Sequence, residues 1–188
     1  NNPQYFKSPG PCDSLKGDKV VIRFLSINNR GDLLMASNAE VFLKTSAGII
    51  QLWQSKEQSD DVSSVYIDSI GRCSWSTSLI GVNSWFEGKF STFNATNTKQ
   101  LYGAYSLIPK KDKLIVYSST NIFAYYPEQE KFERLFHIMP LNIKWSTVML
   151  VDDKENYWIG SHEGLFFIRK NPFRLFPPNT HKTLEEVY

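Results

Sequence analysis

The amino-acid sequence predicts an all-β chain of four consecutive four-stranded antiparallel meanders with helix nearly absent. Three observations carry this. Aromatic residues make up 14% of the 188 residues beside only three Met, a balance that leans toward strands. A short segment ending on Ser or Thr recurs, its terminal hydroxyls standing 40, 41 and 43 residues apart. No segment sustains the i, i+3, i+4, i+7 apolar pattern through three helical turns.

Each unit opens on an apolar or β-branched run: Val20 to Ile27, Val62 to Ile67, Ala104 to Ile108 and Thr147 to Val151. A tight turn follows, at Asn28-Asn29-Arg30-Gly31, Asp68-Ser69-Ile70-Gly71, Lys110-Lys111-Asp112-Lys113 and Asp152-Asp153-Lys154-Glu155-Asn156, where Asx side chains and Gly meet the dihedral demands of hairpins. The recurring segments come next: Gly31 to Ser37, Gly71 to Thr77, Asp112 to Ser118 and Glu155 to Ser161. A third strand is announced by Val41-Phe42, Val82, Ile122-Phe123 and Leu165-Phe166. After turns at Ser46 to Gly48, Glu87 to Lys89, Pro127 to Lys131 and Lys170 to Pro172, a fourth reads Ile49 to Trp53, Phe90 to Phe93, Phe132 to Phe136 and Phe173 to Phe176. The repeats therefore run 20–53, 62–93, 104–136 and 147–176, with 1–19 and 177–188 as connections to neighbouring units.

Four-stranded units of about 40 to 50 residues, one after another, are the signature of β-propeller blades. A β-sandwich of sixteen short strands would not require an in-phase repeat. The fourth unit, Val151 to Leu165, resembles the two-component regulator propeller repeat: Asn156, Trp158, Ile159, Gly160, Gly164 and Leu165 stand in register, while Glu155 replaces the turn Gly and Tyr157 the Leu. The first unit keeps Gly31, Asp32 and Leu33, the second keeps Asp68 and Gly71, and the third, with Pro109 and Asp112, is the most degenerate. The segment Phe6 to Lys16 is similar to that family's blade-to-blade connection. The resemblance implies the extracytoplasmic, periplasmic sensor region of a bacterial hybrid two-component system, often tuned to oligosaccharides, in which seven blades close a propeller and a histidine kinase module follows in the parent chain. Four units fall short of seven, so the segment is expected to join neighbouring blades of a larger parent chain, with closure as a four-bladed ring or association with a second copy in a homodimer as the alternatives. Asn1, with no Met and no basic leader, reads as a cut start.

The charge balance excludes other classes. Twenty-one Lys and Arg against 19 Asp and Glu leave a formal +2, and no run of five like charges occurs, so nucleic acid has no electrostatic footprint. No apolar stretch reaches the roughly 18 to 20 residues of a membrane helix, so no membrane contact is expected within the segment. Cys12 and Cys73 form no CxxC or Cys/His cluster, and His137, His162 and His181 lack ligand spacing, so no metal and no cofactor are expected. Cys73 aligns with Leu33, Leu114 and Tyr157 and reads as a buried small hydrophobe. Trp158 aligns with Leu34, Ser74 and Ile115 and reads as filling space between blades.

No GxSxG elbow, P-loop or GxGxxG is present, Ser74 to Ser78 reads as a half-buried strand, and the pairs Asp60-Asp61 and Asp152-Asp153 read as solvated turns, so no catalytic residue is assigned. Meander geometry puts the loops entering the first strand of each unit and the turns between its second and third strands on one face. Tyr102, Trp145, His162, Asn121 and Ser78 on those segments are the candidate ligand-binding residues, with rings to stack on a sugar and polar groups to meet its hydroxyls. A small carbohydrate ligand and a sensing function without catalysis follow as expectations. A propeller lyase or glycosidase, or a purely structural interaction propeller, is the alternative.

Overall fold

The structure is a computed structural model that describes residues 21–57, 60–79, 81–93, 104–118, 120–138, 146–169 and 174–176. Among the described residues sixteen strands form four separate four-stranded sheets. The first contains β1 (Phe24–Ile27), β2 (Leu33–Ala36), β3 (Glu40–Thr45) and β4 (Gly48–Gln54). The second contains β5 (Val62–Ile67), β6 (Cys73–Thr77), β7 (Gly81–Phe86) and β8 (Lys89–Phe93). The third contains β9 (Ala104–Lys110), β10 (Lys113–Ser118), β11 (Asn121–Tyr126) and β12 (Lys131–His137). The fourth contains β13 (Ser146–Val151), β14 (Tyr157–Ser161), β15 (Gly164–Ile168) and β16 (Arg174–Phe176). Each sheet is an antiparallel meander in chain order, the topology of a propeller blade, and no helix occurs among the described residues.

The chain divides into two compact units, Asn1–Lys99 and Gln100–Tyr188, each holding two blades and its own core. Strand alternation gives every blade two faces. In the first unit Leu34, Ala36, Val41 and Leu43 on one face of the first blade pack against Ile67, Cys73 and Trp75 of the second, with Val65, Trp53 and Trp85 closing the cluster. A hydrogen bond crosses this seam, from the Ile67 backbone N–H to Ser26 Oγ at 3.1 Å. In the second unit Ile115, Tyr117, Ile122 and Ala124 of the third blade meet Met149, Val151, Tyr157, Ile159, Phe166 and Ile168 of the fourth.

The first hairpin of three blades is built the same way. Asn28 Oδ1 accepts the N–H groups of Arg30 and Asp32, both at 3.0 Å. Asp68 Oδ1 accepts those of Ile70 at 3.0 Å and Arg72 at 2.8 Å. Asp152 Oδ1 accepts those of Lys154 and Asn156, both at 2.9 Å. The left-handed residue this turn needs is Gly31 in the first blade, Gly71 in the second and Glu155, at φ 59°, in the fourth. The third blade replaces this device with a two-residue turn, Lys110 pairing Lys113 directly and Lys111 taking φ 49°. Its lysines reach instead to the next blade's hairpin, Lys113 Nζ lying 2.9 Å from Glu155 Oε1 and Lys110 Nζ donating to the Asp152 carbonyl at 3.1 Å.

Three sequence expectations need correction. Trp158 is only half-buried, its ring against Phe167 with centroids 4.3 Å apart, so it does not fill the seam between the third and fourth blades. The tryptophan that fills the space between blades is Trp75, fully buried at the neighbouring alignment position. The strand Cys73–Thr77 is buried along its whole length instead of half-buried, with Cys73 and Trp75 in the seam against the first blade. Asp60 is buried at 2% exposure and accepts the Leu79 N–H at 2.9 Å, so it braces the turn between β6 and β7 from within.

Candidate functional site

Hairpins of the first unit converge on a cavity of about 650 Å³. Turns β1–β2 and β5–β6 supply Arg30, Asp32, Ile70 and Gly71, and turns β3–β4 and β7–β8 supply Lys44, Thr45, Ser46, Trp85, Phe86 and Glu87. Its floor is apolar, formed by Leu43 and Ile67, while its rim carries two cations and two carboxylates. The geometry is held by the Asx-capped turns. Asn28 Nδ2 donates to Asp32 Oδ2 at 3.0 Å, Arg30 Nε stands 3.4 Å from the same oxygen, and the Arg72 guanidinium lies 4.9 Å from the Phe86 ring centre. Gly71 takes φ 91°, a left-handed backbone that a side chain would strain, and the movable end of the Arg30 side chain occupies the space beside its Cα.

This arrangement can hold a small polar molecule with apolar faces. Half-buried Trp85 and Phe86 offer aromatic surface, and Thr45, Ser46, Asp32, Lys44 and Glu87 bring hydroxyl, carboxylate and ammonium groups to the same rim. The cavity lies at the hairpin end of the blades. The loop face on which the sequence candidates were placed is the opposite end, because β1–β2 and β3–β4 turns share one end of a meander and β2–β3 turns the other.

The loop-end candidates fall as follows. Ser78 closes the β6–β7 turn: its hydroxyl accepts the Asp61 N–H at 3.0 Å and its own N–H donates to the Asp61 carbonyl at 2.9 Å. Asn121 is buried, with Nδ2 donating to Thr120 Oγ1 at 2.7 Å and Oδ1 lying 3.1 Å from His137 Nδ1. His162 is exposed in the β14–β15 turn, beside Ser161, whose hydroxyl accepts the Glu163 N–H at 3.0 Å. Tyr102 and Trp145 lie outside the described residues. The second unit therefore brings His162 and Asn121 to one end of its blades, the first only exposed and the second tied into hydrogen bonds.

Several groups have shifted proton affinity. Burial, with smaller contributions from Asp68 and Asp32, pushes the Cys73 thiol up to about 12, and the thiol is free. Burial raises Tyr157, and raises Tyr66 with help from Asp68. The Asp152 carboxyl is held below its ordinary value, first by the hydrogen bond from the Asn156 side chain and then by backbone N–H groups. Among the described residues no group of three His, Cys, Asp or Glu is placed to hold a metal ion, and no helix is long and apolar enough to cross a membrane.

The hairpin-end cavity was missed by sequence reasoning, which followed loop length. Its signal in the sequence was the run Trp85-Phe86-Glu87-Gly88, which sets two aromatic rings and a carboxylate at a hairpin.

No family model matches the chain, and no curated protein matches it. Solved structures do. The extracellular domain of the hybrid two-component system BT4673 from B. thetaiotaomicron aligns at a TM-score of 0.57 and 11% identity, covering 88% of this chain and 22% of that one. Virginiamycin B lyase from Staphylococcus aureus aligns at 0.58 and 8%, covering 89% and 55%. The computationally designed Ika4 protein aligns at 0.58 and 10%, covering 82% and 94%. The chain thus spans about a fifth of the sensor domain and about half of the lyase. At these identities the likeness concerns the fold, and the fold the structure shows is that of β-propeller blades.

Proposed function

We propose that this chain is a ligand-sensing stretch of an extracytoplasmic propeller in a two-component sensor, and that it holds a small carbohydrate without breaking a bond in it. The observation that supports this reading is the preformed cavity of the first unit, where Trp85 and Phe86 border a rim of hydroxyl, carboxylate and ammonium groups on braced hairpins. A sugar presents apolar C–H faces and a ring of hydroxyls, and that combination of groups matches both. The structural likeness to an extracellular two-component domain supports the location and the signalling role. A sensor requires only that the ligand favour one of two states, and it shifts the balance by no more than its difference in affinity for them.

The test is titration calorimetry of the chain against a panel of neutral and acidic oligosaccharides, with Trp85→Ala and Trp145→Ala in parallel. Loss of binding in the first variant with retention in the second supports the cavity. The reverse pattern moves the ligand to the loop face of Tyr102, Trp145 and His162. Mass spectrometry of the recovered sugar decides chemistry: turnover would replace the sensor with a propeller lyase or glycosidase.

A further inference from the structure

The first hairpins at the two seams carry their charges differently. In the second unit Lys113, at the start of β10, lies 2.9 Å from Glu155, the left-handed residue in the first hairpin of the next blade, and the lysine side chain is 16% exposed. Cation and carboxylate both come from the chain. In the first unit the left-handed residue of that hairpin is Gly71, and the cation that reaches it is Arg30, whose Nη2 lies beside the Gly71 Cα. Glycine brings no carboxylate to meet it. The acid of the same turn, Asp68, is engaged by the N–H groups of Ile70 and Arg72.

Arg30 is therefore anchored on its own blade and, among the described residues, meets no carboxylate of the facing hairpin. Its Nε stands 3.4 Å from Asp32 Oδ2, which also accepts from Asn28 Nδ2 at 3.0 Å, and its side chain is 53% exposed at the rim of the cavity that Gly71 also lines. Beyond Nε a guanidinium carries two Nη groups, and such a fork matches a planar carboxylate bidentately. The rim as a whole does not select an anion, since Arg30 and Lys44 are balanced in number by Asp32 and Glu87. Selection is local. Glu87 belongs to the β7–β8 turn, two strand spacings or roughly 10 Å outward from the β5–β6 turn, which is about a Debye length, so its repulsion of an anion at Arg30 is largely screened.

We infer that the carbohydrate held in this cavity carries a carboxylate: a uronic-acid unit whose acid group takes at Arg30 the place that Glu155 takes at Lys113. The inference rests on the reading of the cavity as a sugar site, and adds to it the acid group and the residue that selects it. The apolar face of the sugar lies on Trp85 and Phe86, and its hydroxyls turn to the outer hairpins of Ser46 and Glu87. A neutral sugar of the same shape makes these outer contacts and leaves the guanidinium to water. The acid adds a charge-assisted pair, and at the partial exposure of Arg30 a gain of about tenfold in affinity is expected.

Titration calorimetry of the whole chain tests this with matched pairs of sugars: an oligogalacturonate and a glucuronate-containing oligosaccharide, each beside its carboxyl-reduced neutral counterpart. In a pair that binds, the acidic member is expected to bind about tenfold tighter at low salt, with the gap narrowing as salt rises. Arg30→Gln should bring both members to the affinity of the neutral one. Arg30→Lys, which keeps the charge without the fork, should fall between, and circular dichroism checks each fold. Equal binding of the two members, or an acid preference that survives in Arg30→Gln, overturns the inference; if Trp85→Ala still abolishes that binding, the sugar reading of the cavity stands. A chain that binds neither member of either pair overturns both.

Discussion

Trp75 and Trp158 sit one register step apart in equivalent strands, and that step sends them to opposite faces of their blades. Trp75 faces a packed seam, with Trp53 and Phe90 at centroid distances of 6.4 and 5.7 Å, whereas Trp158, half-buried, rests on Phe167 on the other face. Trp75→Ala is expected to cost about 3 to 5 kcal/mol through lost transfer energy and the cavity left behind. Trp158→Ala should cost clearly less in the single chain, because much of its ring already meets water; urea unfolding of the two variants checks the order. Among the described residues the Trp75 indole N–H has no hydrogen-bond acceptor, so Trp75→Phe should fall between the parent and Trp75→Ala. Cys73, buried and with its thiol pushed up to about 12, is expected to resist thiol reagents at neutral pH. In a Cys12→Ser background, labelling should track global unfolding with denaturant, and rapid labelling of the native chain would refute the burial argument.

At the scale of the hairpin, one carboxylate or amide oxygen satisfies two backbone N–H groups in three of the four blades. Asp68→Ala leaves both donors unmet and is expected to destabilise by about 1 to 3 kcal/mol, while Asp68→Asn keeps the accepting oxygen and should stay near the parent in a melt. Asp152 adds a pH dependence. Its folded-state pKa lies below its ordinary 3.8, so the unfolded chain takes up the proton first as pH falls. Its contribution is therefore full above about pH 4 and is lost as pH drops through the lower folded value. The unfolding midpoint of Asp152→Asn, followed from neutral to acid pH, should fall less steeply than that of the parent. Glu155 carries a left-handed backbone that costs a non-Gly residue about 1 to 2 kcal/mol, offset by an ion pair to Lys113 worth about 0.2 to 1 kcal/mol at its partial exposure. Glu155→Gly should thus be close to neutral in the parent and stabilising in a Lys113→Ala background, and a double-mutant cycle by thermal melting reads the difference.

For the whole molecule, stability rests on separate packing in the two units. The two cores, one around Trp75 and one around Ile159, are distinct clusters, so Trp75→Ala should perturb amide exchange in the first unit more than in the second.

Much of this protein was legible in residue order because propeller blades are local. A meander pairs each strand with its chain neighbour, so apolar alternation and turn chemistry were enough to read all four blades, the turn residues at Asn28, Asp68 and Asp152, and the burial of Cys73. Burial across a blade face is different in kind. Leu25 and Val65 look alike in sequence, and so do Leu34 and Trp158 in alignment, yet one of each pair is covered and the other open. Strand pairing is written in neighbouring residues, whereas the covering of a face depends on whether another blade is present. Site placement obeys the same division. Loop length and the turns between second and third strands pointed to Tyr102, Trp145 and His162, whereas a cavity that residue order did not announce forms where four short hairpins from two blades converge, and Arg30 and Trp85 become neighbours only when those blades pack.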